Sequence, residues 1–460
     1  MKQLPRLRIS QTNPHRLATA DGEPFFLLGD TAWELLHRLT RPEIDLYLSN
    51  RAAKGFNVIC TVALAEFDGL RTPNAEGQLP LTSEDPSKPN EAYFDLLDYV
   101  LEQASNLGLY IGLLPTWGDK LTAPWGEGPR IFNIGDTQAI ETYGRWLGER
   151  YRSATNILWI LGGDRPAKLA GISSDWGHPW DAGFTSETDW TPLWAALASG
   201  ITEGTDGTAL FSYHPQGGAY SSSQCIHSEP WLGINMIQSG HGGGHDAPIW
   251  DWIARDYALV PFKPTLDGEP NYEDHPVNPW PTYDPQNGYF DDYDVRKQCY
   301  RSVFAGGCGV VYGHHSVWQF WDGKREGINY TKFVWQEAID RPGASHVGHL
   351  RALMDRYSQY DLVPDTSIVS SDLGVGGLRL GAMKDRAGQV ALIYIPDAGR
   401  AIDLAPAFGE RHPIAARWFD PRSGAYSDIE MLGVPAGSGS YMSPNRNPSS
   451  EPDWVLVLEY

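Results

Sequence analysis

Pro264–Glu273 reads P-T-L-D-G-E-P-N-Y-E. A short apolar entry ends in Asp267 and Glu269 on either side of a glycine, and Pro270 keeps a helix from starting there. The stretch reads as a strand that delivers a carboxylate to a loop. Asn156–Pro166, N-I-L-W-I-L-G-G-D-R-P, has the same build: an apolar run, two glycines, one acid, then proline. Together the two suggest a cleft with opposed carboxylates, Asp164 and Glu269. Either acid alone reads equally well as a turn or helix-cap residue, so the rest of the chain has to decide.

Working outward, the same unit recurs. The runs are Phe25–Asp30, Phe56–Val62, Leu109–Pro115, Asn156–Gly163, Leu210–His214, Ile234–Ser239, Lys263–Asp267 and Gly309–His315. Helix-length segments separate them, among them Arg41–Lys54, which starts at Thr40 with Pro42 in its first turn, Tyr93–Leu107, Thr137–Tyr151 and a helix around Thr191–Thr202. Runs with little polar alternation are strands buried on both faces, and alternation with helices predicts a parallel sheet. Eight such units in about 330 residues predict a (β/α)8 TIM barrel with inserted loops. A hairpin of Leu7–Ile9 with Arg16–Ala18, turning over Asn13-Pro14, would close its bottom or edge.

In this fold the site lies at the C-terminal ends of the strands. The residues there are Asp30 and Trp33; Glu66; Trp117 with Asp119 and Lys120; Asp164 with Arg165; His214; Gln238 with His241; Glu269 with Tyr272; and His314 with Trp318. Loops that only turn the chain favour Gly, Asn, Ser and Pro, so these residues are candidates for binding, with Asp164 and Glu269 as the catalytic pair. Strands four and seven stand on roughly opposite sides of a barrel mouth. Hydrolysis of a glycosidic bond needs that layout, with an acid for the leaving oxygen and a carboxylate on the other face of the sugar.

From about residue 351 the texture changes. Short β-rich runs take over: Ile368–Ser370, Leu378–Ala382, Val390–Ile395, Ile402–Leu404, Ala415–Phe419 and Trp454–Leu458. They predict a small all-β antiparallel sandwich over 351–460 behind a barrel over 1–350, with Gly437–Ser450 as a loop and Trp418, Phe419 and Trp454 in the core. The net charge of −21 argues against nucleic acid or an anionic membrane as partner. The 18 Trp and 22 Tyr fit a cleft that stacks sugar rings, although packing alone could use most of them. Cys60, Cys225, Cys299 and Cys308 lack C-x-x-C spacing and read as reduced, structural thiols. The N-terminus lacks a signal-peptide h-region and no segment is long and apolar enough to span a bilayer, so the chain as it stands is expected in the cytoplasm. A removed signal would leave the same sequence.

The order F-F-L-L-G-D-T-A-W, L-G-L-Y-I-G-L-L-P-T-W-G-D-K, I-L-W-I-L-G-G-D-R-P, L-D-G-E-P-N-Y-E and, near the end, V-A-L-I-Y-I-P with W-F-D-P-R-S-G resembles the apiosidase-like glycoside hydrolases, glycoside hydrolase family 140. The resemblance covers nearly the whole chain. It implies a TIM barrel joined to a C-terminal sandwich of the collagen-binding type, and hydrolysis of a terminal sugar such as apiose from a plant or pectin side chain. Asp164 would then be the acid/base and Glu269 the nucleophile. The wider clan of retaining barrels places Asn-Glu after strand four, where this chain has Gly163-Asp164. A carbohydrate-binding protein on a barrel that has lost catalysis would use the same aromatics, but has no need of a matched pair of acids. No cofactor is expected. His241 and His245 have metal-ligand spacing, but three glycines between them break the helix that a shared ligand face would need. On shape alone, Glu269→Gln would fold normally and lose most turnover.

Overall fold

A computed structural model describes residues 3–122, 128–169, 188–217, 221–280, 282–429, 439–445 and 452–460. At the N-terminus, β1 (Leu7–Ile9), β2 (Leu17–Thr19) and β3 (Pro24–Phe25) form a small antiparallel sheet. Eight parallel strands follow: β4 (Leu27–Thr31), β5 (Val58–Leu64), β6 (Tyr110–Thr116), β7 (Ile157–Gly162), β8 (Phe211–His214), β9 (Leu232–Ile237), β10 (Thr265–Asp267) and β11 (Gly309–Tyr312). They close into a barrel in sequence order, with β11 pairing back onto β4. Nearly every strand residue is buried, which is why the runs carry no polar alternation.

The expected first run is cut in two. Phe25 ends β3 of the small sheet, and Leu27 opens the barrel. The N-terminal sheet plugs the barrel floor, because Leu4, Leu7 and Leu17 pack in one cluster with the inward residues Leu27, Val58, Leu158, Ile234 and Leu266.

Three further helices are Ile249–Tyr257, Asp292–Phe304 and Pro342–Arg356. Asp292–Phe304 is buried along most of its length, but with several polar side chains that find partners in the core. Gln298 donates to Ser239 Oγ at 2.7 Å, Ser302 to Asp267 at 2.6 Å, and Arg296 holds Asp453 through two bonds of 2.9 and 2.8 Å. The helix Pro342–Arg356 runs across position 350, so the expected boundary there cuts an element of the barrel layer. The change of architecture falls at Asp361-Leu362, where β12 begins.

Beyond it lie β12 (Leu362–Pro364), β13 (Gly381–Asp385), β14 (Val390–Ile395), β15 (Ala401–Asp403), β16 (Ala415–Phe419), β17 (Tyr426–Asp428), β18 (Ser440–Met442) and β19 (Trp454–Glu459). Six form an antiparallel sheet in the order β12-β13-β14-β19-β16-β17, and β15 pairs with β18. Strand β14 shows what this sheet does. Val390, Leu392 and Tyr394 point into a core shared with Tyr300, Phe304, Leu350 and Met354 of the barrel helices, whereas Ala391, Ile393 and Ile395 face Ile402, Leu404 and Tyr441 of the smaller sheet. Ile368 belongs to a short helical turn rather than a strand, and the run expected over Leu378–Ala382 enters the sheet only at Gly381. Within Gly437–Ser450, read as loop, Ser440–Met442 is a strand, while 437–438 and 446–450 lie outside the described residues. Trp418 and Phe419 are buried and Trp454 is half-buried. The four cysteines are unpaired. Among the described residues no helix is long and apolar enough to cross a membrane.

Candidate active site

A cavity of about 330 Å³ opens at the C-terminal ends of the barrel strands. Glu269 lies two residues beyond β10 and lines it. The chain reaches this point pressed against β9: a Cβ on Gly268 would stand 2.4 Å from Met236 Sδ. The backbone is then pinned, since Ser239 and Gly240 N–H both donate to the Glu269 carbonyl at 3.0 and 2.9 Å. Three side chains hold its carboxylate. Gln238 Nε2 donates to Oε1 at 2.8 Å, His241 Nε2 lies 3.1 Å from Oε1, and His214 Nε2 lies 3.0 Å from Oε2. Burial alone would raise this carboxyl, but the hydrogen bonds from His214 and His241 outweigh it and hold Glu269 well below the usual carboxylate range.

Asp164 reaches the same cavity from β7 by a sharp turn. Gly162 and Gly163 have φ of 90° and 95°, and a Cβ on Gly162 would stand 2.2 Å from the His214 carbonyl oxygen. No other residue type fits there. Asp164 itself has φ 55°, a conformation Asp tolerates better than most residues. Its N–H donates to His214 Nδ1 at 3.1 Å. A neutral His214 therefore carries its proton on Nε2, facing Glu269. One imidazole thus links the Glu269 carboxylate to the Asp164 backbone, held edge-on against Trp33 with ring centroids 5.3 Å apart and tilted beside Trp117 at 5.9 Å.

Glu66, half-buried at the end of β5, lines the same cavity. Burial pushes its carboxyl up to about 8; the Arg165 charge works against this, and Asp119 and Asp164 add to it. Trp33, Trp117, Gln238, His241, Tyr272 and Trp318 also line the cavity, as expected from their places after the strands.

Six residues expected to bind substrate do not line it. Asp30 lies within β4 with its side chain toward the helical layer, where it pairs with Arg51 at 2.6 Å and accepts from Tyr47. Asp119 and Lys120 neutralise each other in a fully buried pair at 2.8 Å. The buried Arg165 guanidinium holds the Asp164 carbonyl at 2.8 Å and its Oδ2 at 3.4 Å. His314 caps the turn His315–Trp318 through Ser316 N–H and lies 3.0 Å from Asp274. His214, already described, acts behind Glu269. All six support the wall.

Sequence reasoning missed Phe67, Gln216, His275, Trp280 and Asn329, which line the cavity. Gln216, two residues past the end of β8, could have been found by the rule used for Glu269. Phe67, next to Glu66 and three residues past β5, could have been found the same way, whereas His275, Trp280 and Asn329 sit deeper in loops without such a marker. Several polar atoms of the lining are buried with no partner: both amide atoms of Gln216, Gln238 Oε1, Trp117 Nε1 and His241 Nδ1. Buried polar groups are ordinarily satisfied, so this set fits a hydroxyl-rich ligand. His241 and His245 diverge, the first to Glu269 and the second to Asp294 at 2.9 Å. Among the described residues no group of three or more His, Cys, Asp or Glu could hold a metal ion.

The chain is similar to known proteins over nearly its whole length. The family model described as "Apiosidase-like, catalytic domain" matches residues 11–361, and that described as "Putative collagen-binding domain of a collagenase" matches 363–459. A solved structure titled "Glycoside hydrolase" is similar at 27% identity and a TM-score of 0.79, over 99% of this chain and 97% of that one. A structure titled as a glycoside hydrolase family 5 from Bacteroides vulgatus ATCC 8482 is similar at 26% identity and TM-score 0.79, over 99% and 93%. The exo-beta-1,4-mannosidase Op5Man5 from Opitutaceae bacterium strain TAV5 shares the fold at 13% identity and TM-score 0.50, over 76% and 63%. No curated protein matches the chain.

Proposed function

Because the chain belongs to the apiosidase-like family of catalytic domains, and is by that membership a glycoside hydrolase, we propose that it removes a terminal sugar, apiose or a comparable plant side-chain residue, from a pectin-derived oligosaccharide. Glu269 carries the reading. A buried carboxylate held ionised by three side-chain donors at the floor of a hydroxyl-matching cavity is a prepared nucleophile. Among the described residues His214 is the one hydrogen-bond donor on its Oε2, which leaves a lone pair for the anomeric carbon. As that bond forms, the bond from the anomeric carbon to the leaving oxygen breaks. The electron pair goes to the oxygen, which takes the proton of Asp164. Water then cleaves the glycosyl-enzyme ester, giving its proton to the Asp164 carboxylate. The cavity volume of about 330 Å³ is at the small end for ligand pockets, which supports removal of one end residue over cleavage within a chain.

The test is release of reducing sugar from pectin side-chain oligosaccharides. Wild type is expected to release it and Glu269→Ala to fail. A folded wild type that binds these oligosaccharides but turns over none would mark the barrel as a carbohydrate-binding protein.

A further inference from the structure

His241 holds the Glu269 carboxylate from a strained backbone. Its φ is 72°, in the left-handed region, and such strain persists only where neighbours over-determine it. Asn271, two residues past Glu269, is one such neighbour, because its Oδ1 accepts the His241 N–H at 2.7 Å. Asn278 N–H donates to the His241 carbonyl at 3.3 Å. The segments that follow β9 and β10 also press backbone to backbone, since a Cβ on Gly240 would stand 2.5 Å from the Pro270 carbonyl oxygen.

One side chain that does not line the cavity ties these two segments together. Gln298, on the helix Asp292–Phe304, is 3% exposed. Its Oε1 accepts the Asn271 N–H at 3.0 Å and its Nε2 donates to Ser239 Oγ at 2.7 Å. One end of the amide must accept and the other must donate, so its orientation is fixed. Ser239 in turn donates to the Asp267 carboxylate at 2.8 Å, and its N–H holds the Glu269 carbonyl at 3.0 Å. Gln298 therefore grips the segment that carries His241 and the segment that carries Glu269. The helix is itself held from its far side, where Tyr300 stacks on Tyr394 of β14 at 4.8 Å and Arg296 binds Asp453.

We infer, on the basis of the hydrolase reading above, that Gln298 is a positioning residue for the reaction: it fixes His241 against Glu269, and so the aim of the nucleophile, without touching substrate. The path is short. Gln298 holds the Asn271 backbone, Asn271 holds the His241 N–H, and His241 Nε2 lies 3.1 Å from Glu269 Oε1. A displacement of about 1 Å at a reacting atom can cost about 100-fold in rate. An amide that served packing alone would be replaceable by an apolar side chain of its shape at a cost in stability only, whereas a positioning amide is felt in kcat.

The experiment measures kcat and KM on a pectin-derived oligosaccharide for wild type, Gln298→Met and Ser302→Ala. Methionine fills the space but makes neither hydrogen bond, and kcat should fall about 100-fold with KM within about twofold. Ser302→Ala removes a bond from the same helix, to Asp267 at 2.6 Å, and leaves the link to Asn271. It should keep kcat within about threefold. Gln298→Glu, held neutral by burial beside Asp267, retains an acceptor for Asn271 and a donor for Ser239 and should recover most of kcat. A loss carried by KM, or equal losses of kcat in Gln298→Met and Ser302→Ala, overturns the assignment. The imidazole N–H resonances of His241 and His214 in NMR give a second readout that needs no turnover. In Gln298→Met the His241 signal should broaden through exchange with water while that of His214 stays. If methionine does not fold, Gln298→Asn, one methylene short of both partners, carries the same outcomes. A wild type inert on the oligosaccharide would sink the hydrolase reading alone. Gln298 would then stand on the loss of the His241 signal, and fall if that signal did not change.

Discussion

Replacing Glu269 with Gln preserves shape but not hydrogen-bonding sense, and the structure turns that into a stability prediction. The carboxylate accepts on Oε1 from Gln238 and His241 and on Oε2 from His214. An amide offers one acceptor and one donor. With its oxygen toward Gln238 and His241, its NH2 faces the Nε2–H of His214. His214 cannot escape by switching tautomer, because Nδ1 is taken by the Asp164 N–H at 3.1 Å. The other amide orientation opposes two donors unless Gln238 turns over and His241 moves its proton to Nδ1; the present outer atoms of these two side chains, Gln238 Oε1 and His241 Nδ1, have no partner. With the donor set as it stands, one charge-assisted hydrogen bond is lost and a buried donor is left unpaired, for a total of about 2–4 kcal/mol. Shape alone predicts a variant that folds normally; the donor set adds a cost in stability. Urea unfolding at pH 7 should show the deficit, and turnover should fall at least about 1,000-fold. The wild-type carboxyl lies below its ordinary value of 4.5 in the folded state, so its contribution is present above that pH and fades as pH falls through the folded value. The two proteins should therefore converge in stability on acidification below about 4.5. Unfolding within about 0.5 kcal/mol of wild type, on the scale of a neutral surface change, or activity above a tenth of wild type, would refute the reasoning.

Asp164→Asn should slow an unactivated oligosaccharide far more than an aryl glycoside with a good leaving group, because the latter needs no proton; equal losses would count against Asp164 as the acid. Since Glu66 is raised to about 8, it is a neutral hydrogen-bond donor at pH 7 and an anion beside Asp164 at higher pH. The kcat/KM profile should fall on its basic side near pH 8, and Glu66→Gln should keep neutral-pH activity to within about tenfold and lose that limb; a limb that persists refutes the assignment. Asp453→Ala removes two bonds of 2.9 and 2.8 Å from the buried Arg296 guanidinium and should cost about 3 kcal/mol in chemical unfolding, with Arg296→Met/Asp453→Leu recovering most of it; a double variant no more stable than the single would refute this. Residues 1–361 expressed alone should be poorly soluble, because the barrel helices lose the sheet that covers Tyr300, Phe304 and Leu353, and residues 362–460 should run unretarded in a polysaccharide affinity gel; the opposite pair of outcomes would assign binding to the sandwich.

The barrel was legible because its strands are buried on both faces and leave an unbroken apolar trace, as in Val58–Leu64. The helix Asp292–Phe304 was not, since its buried face carries Arg296, Gln298 and Ser302, whose partners lie far along the chain. The same distinction runs through the site. Asp30 and Glu269 both follow apolar runs, but Asp30 is still inside its strand and takes the outward turn of the alternation, whereas Gly268 carries Glu269 past the end of the ladder. Asp119 and Lys120 look like two functional groups in sequence and cancel in space. His214 was found as a residue after a strand; that it bridges Asp164 and Glu269 depends on the approach of β8 to β7, which only coordinates reveal.

The sheet that β14 divides has an evolutionary consequence. One face of it completes the barrel's own core while the other serves the sandwich, so a recombination event that delivered a different C-terminal module would strip the barrel of part of its interior. Calorimetry should then register barrel and sheet as a single transition, with an active-site inhibitor raising the melting point of both. The C-terminal region is then part of the folding unit that carries the site, not an appended cassette.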